Sequence, residues 1–359
     1  MSEEIGIKFS NTFFPFLDSK KFSLFSGRES DKNIIIEHIK NGMIDGIHSY
    51  GEVDDFSRDH ALMTINELKQ NSCKLDIWID HAQSKSNFCK YRIPGLGDIP
   101  GKNEYHFDLT KEYGIRFIWT ERLTNIIGQG MPISFKSFLK IYDRNYPMYS
   151  IVNITKTLAK VLLDIFGHKK YNYFKDNKLI NISTMTDGQK IYEFIRFNNY
   201  YKGPAKGDSF EELYYSISRR ILNRLKMVEG YSIVYVHLGR NFHLESVNGR
   251  KTVNALRNLK QEHENGNISV DSTSQFLNYY INTTNLDWSY EKKNDQYLIL
   301  VDAVDDPIFG RYIPSRKQLK NVTFYVHGKV KIYIGENEVK EIKHNPPDYT
   351  GIESITILD

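Results

Sequence analysis

The stretch that decides the fold runs from Ile44 to His81, IDGIHSYGEVDDFSRDHALMTINELKQNSCKLDIWIDH. It reads as strand, loop, helix and strand. MIDGIHSY is short and mostly apolar, as a buried strand should be. In SRDHALMTINELKQN, Leu62, Ile65 and Leu68 recur at three-residue spacing, which gives a helix one apolar face, and Ser57 stands where an N-cap belongs. KLDIWIDH is a second apolar run, closing on Asp80 and His81. Strands joined by a helix of this length lie parallel, so the segment predicts a βα repeat.

The same rhythm extends both ways. Upstream, KFSLFSG (21–27) reads as the first strand, and SDKNIIIEHIKNG (30–42) as a helix capped by Ser30 or Asp31 and stopped by Gly42. Downstream, an irregular YRIPGLGDIPGKNE leads into the helix YHFDLTKEYG and the strand IRFIWTE. Residues 126 to about 176 interrupt the pattern with helical segments, PISFKSFLKIYDR and ITKTLAKVLLDIFG. It resumes with the strands KLINISTMTD and KIYEFIRF, a long helix SFEELYYSISRRILNRLKMVEG, the strand YSIVYVHLG, the helix TVNALRNLKQEHENG, the strand NISVDST and the short helix SQFLNYYI. From 285 to 359 only strands and turns are read. The expected fold class is α/β: a distorted (β/α)7-type barrel over 1–284, with a helical insertion at about 126–176, and a small all-β module after it. No G-x-G-x-x-G or Walker sequence follows a strand, which argues against the open doubly wound sheet.

Composition narrows the function classes. The chain has 359 residues, 40% hydrophobic and 26% charged, enough for a sizeable core. Its 48 Lys+Arg against 44 Asp+Glu leave a formal charge of +4, which gives no nucleic-acid footprint. No apolar run is long enough to span a membrane, and MSEEIGIKFS lacks the features of a signal peptide. Cys73 and Cys89 make neither a disulfide framework nor a CxxC zinc site and read as free thiols. A cytoplasmic setting is expected.

In βα barrels the chemistry gathers where strands end. Here the ends carry His48, with Asp45 inside its strand; Asp80 and His81; Glu121 and Arg122; Asp187; Arg196; His237, with Arg240 beyond; and Asp271. Any strand turns polar on leaving the core. That explanation predicts Ser, Asn, Gly and Lys as often as His, Asp and Arg, and lysine is nearly absent from these positions. Trp119 reads as core or as a stacking face for a sugar. His60 reads as a packing residue of its helix, His38, His168 and His263 as structural, and His327 and His344 as remote. His106 and Asp108 either cap a helix or reach the mouth. Imidazoles with a carboxylate suit a zinc or other divalent ion with an open position for water, or metal-free acid–base work.

GIHSYGEVDDFSRDHALMTINELKQNSCKLDIWIDH, GIRFIWT and GYSIVYVHLGR together resemble the polysaccharide deacetylase (NodB-type) superfamily, and within it a deacetylase-like branch associated with surface-polysaccharide genes. The likeness spans roughly residues 20 to 280. It implies a distorted (β/α)7 barrel that removes acetyl groups from N-acetylated sugars with a divalent metal. One Asp and two His would hold the ion, a second Asp would act as base and a late-strand His as acid. His48 matches the first His of the H-x-x-x-H motif, and Glu52 stands in place of the second. His237 matches the acid. RIPGLG (92–97) approaches R-x-P-x-G with altered glycine spacing. KFSLFSG lacks the superfamily's Asp-Asp pair, so Asp45 or Asp80 would have to substitute.

The resemblance thus implies a zinc-type site on His48, His81 and Glu52 or one of those aspartates. His237 protonates the leaving amine, and Arg196 or Arg240 steadies the oxyanion. Trp119, Glu121, Arg122, Asp187 and Asp271 are left to bind a sugar or polysaccharide precursor. Two other readings stand beside it: a metal-independent sugar hydrolase, lyase or epimerase, and a catalytically silent glycan-binding or scaffold protein. The oligomeric state is not read.

Overall fold

The computed structural model describes residues 6–17, 21–81, 84–88, 95–131, 133, 135–139, 141–199, 207–293, 296–326, 328–348 and 351–358. Cys89, His327 and the Arg92–Pro94 part of RIPGLG lie outside these. The chain divides into two compact units, Met1–Thr273 and Ser274–Asp359.

The first unit is mixed α/β. Its elements run β1 (Asn11–Phe13), β2 (Phe16–Leu17), α1 (Glu29–Lys40), β3 (Ile44–His48), β4 (Gly51–Glu52), α2 (Arg58–Gln70), β5 (Ile77–Ile79), α3 (Phe107–Tyr113), β6 (Phe117–Trp119), β7 (Leu123–Thr124), α4 (Phe135–Leu139), α5 (Pro147–Ile165), β8 (Ile180–Thr184), β9 (Lys190–Phe194), β10 (Arg196–Phe197), α6 (Arg219–Val228) and α7 (Val247–Glu264). The main sheet has the order β1-β3-β5-β6-β9-β8. Its first five strands are parallel and follow chain order, as sequential βα units require. β2/β4 and β7/β10 form two further parallel pairs. Parallel bridges link Phe197 to Val234 and Ser209 to His237. Among the described residues, strand pairing does not close the sheet into a barrel.

Side-chain alternation divides the sheet into two faces. Ile47, Trp78 and Ile118 are cross-strand neighbours, and they pack with Ile35 and Ile39 of α1, Leu68 of α2 and Phe107 of α3. Each large apolar side chain buried there contributes roughly 1.5–3 kcal/mol. The alternate set, His48, Ile79 and Trp119, faces the other way. α2 begins as read: Ser57 is the N-cap, and the His60 ring closes a capping box by accepting from the Ser57 backbone N–H at 3.2 Å.

Four sequence expectations need correction. KFSLFSG forms turns, not a strand; the first strand is Asn11–Phe13, in a segment whose Phe-Phe-Pro-Phe run hides its alternation. KLINISTMTD and KIYEFIRF are not successive parallel strands. β8 and β9 form an antiparallel hairpin, because the joint at Thr186–Gln189 is a tight turn with no helix. The helix expected over 209–230 breaks into a 3-10 segment, Phe210–Tyr215, and α6, because Ser216 and Ser218 interrupt it. YSIVYVHLG pairs only through isolated bridges, and NISVDST forms no strand.

The second unit opens with α8 (Thr273–Thr284) and is otherwise β-rich. β11 (Leu286–Lys293), β12 (Gln296–Asp306), β15 (Lys329–Ile334) and β16 (Asn337–Val339) form one sheet, with β13 (Gly310–Tyr312) also paired to β12. β14 (Thr323–Tyr325), β18 (Ser354–Ile357) and β17 (Ile342–Asn345) form a second. Ile299, Ile332, Phe324 and Ile355 share their core.

Candidate functional site

The C-terminal ends of β3, β5, β6 and β9 bring His48, His81, Trp119 and Arg196 to one end of the main sheet. The His48 and His81 rings meet edge to face, 4.5 Å between centroids. Phe14 stacks on His48 at 4.6 Å and meets the His81 edge at 4.9 Å. His48 Nδ1 lies 3.2 Å from Thr12 Oγ1, so Nε2 is the nitrogen left for chemistry. Burial holds the His48 pKa well below the ordinary imidazole value, and electrostatic repulsion from His81, Arg196 and His237 lowers it further. His48 is therefore neutral at pH 7. His81 is also lowered, mainly by burial, with Glu52 opposing: His81 Nδ1 lies 2.9 Å from Glu52 Oε1.

Arg196 is the unusual member. It begins β10, directly after the bend that ends β9, and is 4% exposed. Its guanidinium sits between two roughly parallel rings, 3.0 Å from the Trp119 centroid and 3.8 Å from that of Tyr235. Nε and Nη1 are buried with no hydrogen-bond partner among the described residues. Burial pulls its pKa down to about 9, opposed by the Tyr235 hydroxyl and, at longer range, by Asp208 and Glu121. Trp119, read from the sequence as core or as a stacking face for a sugar, carries the guanidinium on one face.

His237 is joined to this group from the next segment. Its Nε2 lies 2.8 Å from the Tyr235 hydroxyl, and its Nδ1 3.5 Å from Asp208 Oδ2. Asp208 also accepts from Arg240 Nη1 at 3.1 Å, while Arg240 itself is exposed. Glu121 has positive φ (69°) at the turn after β6 and is within electrostatic range of Arg196.

Other expected residues are turned elsewhere. Asp45 lies at the start of β3 and accepts from Ser10 Oγ at 2.8 Å; it is a structural anchor, three residues short of the end where His48 sits. Asp80 shares the helix-facing side with Trp78, because the two are separated by one residue on a strand. It accepts from Trp78 Nε1 at 2.8 Å and from the Phe88 backbone N–H at 3.0 Å, and burial raises its pKa to about 7. Arg122 makes an ion pair with buried Glu193 at 2.7 Å and donates to Lys170 O and Asn172 Oδ1. Asp187 accepts from Tyr105 Oη at 2.9 Å in the β8–β9 turn, at the end of the sheet opposite Arg196, because its strand runs backwards. Asp271 lies 3.9 Å from Lys8, ahead of β1. His106 and Asp108 are structural too. His106 is wholly buried against Ser86 O and Thr110 Oγ1, and Asp108 takes both arms of Arg58 at 2.7 Å.

A metal fits this donor set poorly. Among the described residues, no group of three or more His, Cys, Asp or Glu side chains is placed to hold an ion. His81 is engaged with Glu52, Asp45 and Asp80 point away, and the charged Arg196 lies beside His48. No step is therefore routed through a metal.

Sequence reasoning missed Thr12, Phe14, Tyr235 and Asp208. Thr12 and Phe14 were hidden by placing the first strand at 21–27. Tyr235 was readable: two residues before His237, it shares that side chain's face in any extended segment. Asp208 carries no local signal. Comparison of the chain with protein-family models, curated proteins and solved structures returns no match.

Proposed function

We propose that the protein is a carbohydrate-active enzyme on a deacetylase-like, distorted (β/α)7-type barrel, and that it hydrolyses an acetamide on an anionic sugar by histidine acid–base chemistry. The scaffold reading is supported by five parallel strands in chain order and by the two parallel bridges that continue from β10 toward Ser232–His237. The observation that carries the substrate class is Arg196: a buried guanidinium whose Nε and Nη1 donors are unmet among the described residues, and which a carboxylate or phosphate of the substrate would satisfy.

Water adds to the acetamide carbonyl carbon as His48 Nε2 takes its proton. The C–N bond breaks as His237 gives a proton to the leaving nitrogen, and acetate and a free amine result. Asp208 and Tyr235 orient His237 for that step. A bound anion also offsets the Arg196 charge that helps to depress His48, so substrate binding raises the basicity of its own base.

The test measures acetate released from neutral and acidic N-acetylated sugars in the presence of a chelator. Release from acidic substrates should persist, and should fall by roughly a hundredfold in His48→Gln and in His237→Gln. Release that the chelator abolishes and zinc restores would overturn the mechanism, and no release from any acidic sugar would overturn the assignment.

A further inference from the structure

α5 leaves much of its apolar surface outside. It buries Ser150, Thr157 and Asp164, spaced seven apart, beside half-buried Ile154 and Val161, which pack on Ile126 and Phe174, while Met148, Ile151, Leu158, Leu162, Ile165 and, just past its end, Phe166 stand 43–83% exposed. At about 100° per residue the exposed apolar positions fall on one continuous arc. The buried polar stripe is fully engaged. Thr157 Oγ1 donates to Asn125 Oδ1 at 2.9 Å, Asp164 accepts from the Lys175 backbone N–H at 2.8 Å, and Ser150 Oγ donates to Tyr146 O at 2.9 Å. The orientation is therefore fixed by specific bonds, and an apolar face of this size on a surface marks an interaction site.

The charges name the partner. From Asp143 to Asp176 the chain carries Arg144, Lys156, Lys160, Lys169, Lys170 and Lys175 against three acids, of which Asp164 is buried, Asp143 is paired with Arg220 and Asp176 lies 3.7 Å from Lys178. An apolar arc flanked by lysines is the pattern of a helix lying in the headgroup layer of a negatively charged membrane. A two-fold contact with a second copy would set these lysines against their own counterparts. Among the described residues no helix is long and apolar enough to cross a membrane, so the contact is peripheral. We propose that α5 docks the protein onto an anionic lipid bilayer. Thr157 holds it to Asn125, next to β7, which pairs with the β10 strand that carries Arg196; the docked helix thus keeps the Arg196 end of the sheet near the lipid surface.

The experiment is co-sedimentation of the full chain with phosphatidylglycerol-containing vesicles and with pure phosphatidylcholine vesicles. The protein should partition onto the anionic vesicles, and added salt should weaken binding. The double variant Leu158→Glu/Leu162→Glu should lose binding by roughly a hundredfold. Lys156→Gln and Lys169→Gln should each weaken it about fivefold. All these side chains are exposed, so melting temperatures should match wild type; the lysine variants test the proposal even where the leucine pair lowers stability. No partition onto either vesicle overturns it. So does a wild-type dimer in solution that Leu162→Glu converts to monomer without any vesicle binding, which would make a second copy the occupant.

Discussion

Replacing Arg196 with methionine separates a ligand-seeking arginine from a structural one. The fall from the ordinary arginine value to about 9 disfavours the charged form by roughly 5 kcal/mol at neutral pH. Two desolvated cation–π faces return about 2–4 kcal/mol together. Without a ligand, the guanidinium therefore costs a net of about 1–3 kcal/mol. Methionine is unbranched, similar in reach and content between two rings, so Arg196→Met should raise the ligand-free melting temperature by about 2–9 °C. The sign with pH follows from the lowered pKa. The penalty is complete below the folded-state value of about 9 and is relieved progressively above it, so the gap between variant and wild type should hold up to about pH 9 and narrow from there upward. The assay is thermal melting with glucuronate, a sugar phosphate and glucose at fixed ionic strength. Wild type at a hundredfold excess of an anionic ligand over its Kd should gain roughly 2.7 kcal/mol, and the variant nothing. A variant that melts several degrees lower, together with a wild type indifferent to every anion, would refute the reasoning.

Other outcomes follow from single contacts. Asp80→Asn keeps an oxygen for the Trp78 and Phe88 donors and removes a group whose folded pKa is raised to about 7. A raised carboxyl stabilises fully below the ordinary value near 3.8 and loses that contribution as pH climbs to about 7, so the variant should gain on wild type between about pH 4 and 7 and hold that gain above, read by urea unfolding at pH 4 and pH 7.5. His106 is held down to about 3 by burial, so its neutral form stabilises above the ordinary value near 6.5 and that contribution falls away as pH drops; His106→Gln should flatten the acid side of the stability profile. Gly51→Ala would drive a Cβ into Phe16 O at φ +118°, which should push β2 from β4 and lower the melting temperature by about 6 °C. Arg58→Met breaks the two-armed contact to Asp108, a half-exposed pair, and should cost only about 1 kcal/mol in denaturant unfolding.

The elements legible in the sequence were those whose local signals agreed. α2 had a cap, a periodic face and polar flanks, and β3, β5 and β6 each ended a compact apolar run. What stayed hidden depended on partners far along the chain. Nothing local distinguishes the hairpin of β8 and β9 from two crossover strands, and the error moved Asp187 to the wrong end of the sheet. Strand-end reasoning named His48, His81, Arg196 and His237, and the structure brings these four side chains near one another. It misjudged Asp80, because the strand continues its alternation one residue past its last apolar position and turns the carboxylate toward Trp78. α5 shows the same limit in reverse: its apolar face is plain in the sequence, but its burial of Ser150, Thr157 and Asp164 depends on Asn125 and Lys175, which no periodicity reveals.

The Ser10 hydroxyl accepts from the backbone N–H of Thr273 and donates to Asp45, tying the two extremes of the first unit to β3. The parallel strands can be laid down one after another as the chain leaves the ribosome, since each pairs with its predecessor in sequence. This clasp cannot: it spans 263 residues and waits for the last of them. Synthesis therefore yields a nearly complete sheet whose ends are still loose, and the clasp is the final step that locks it. A chain truncated just before Thr273 should keep its strands and lose that lock, with local opening around β1 as the first sign.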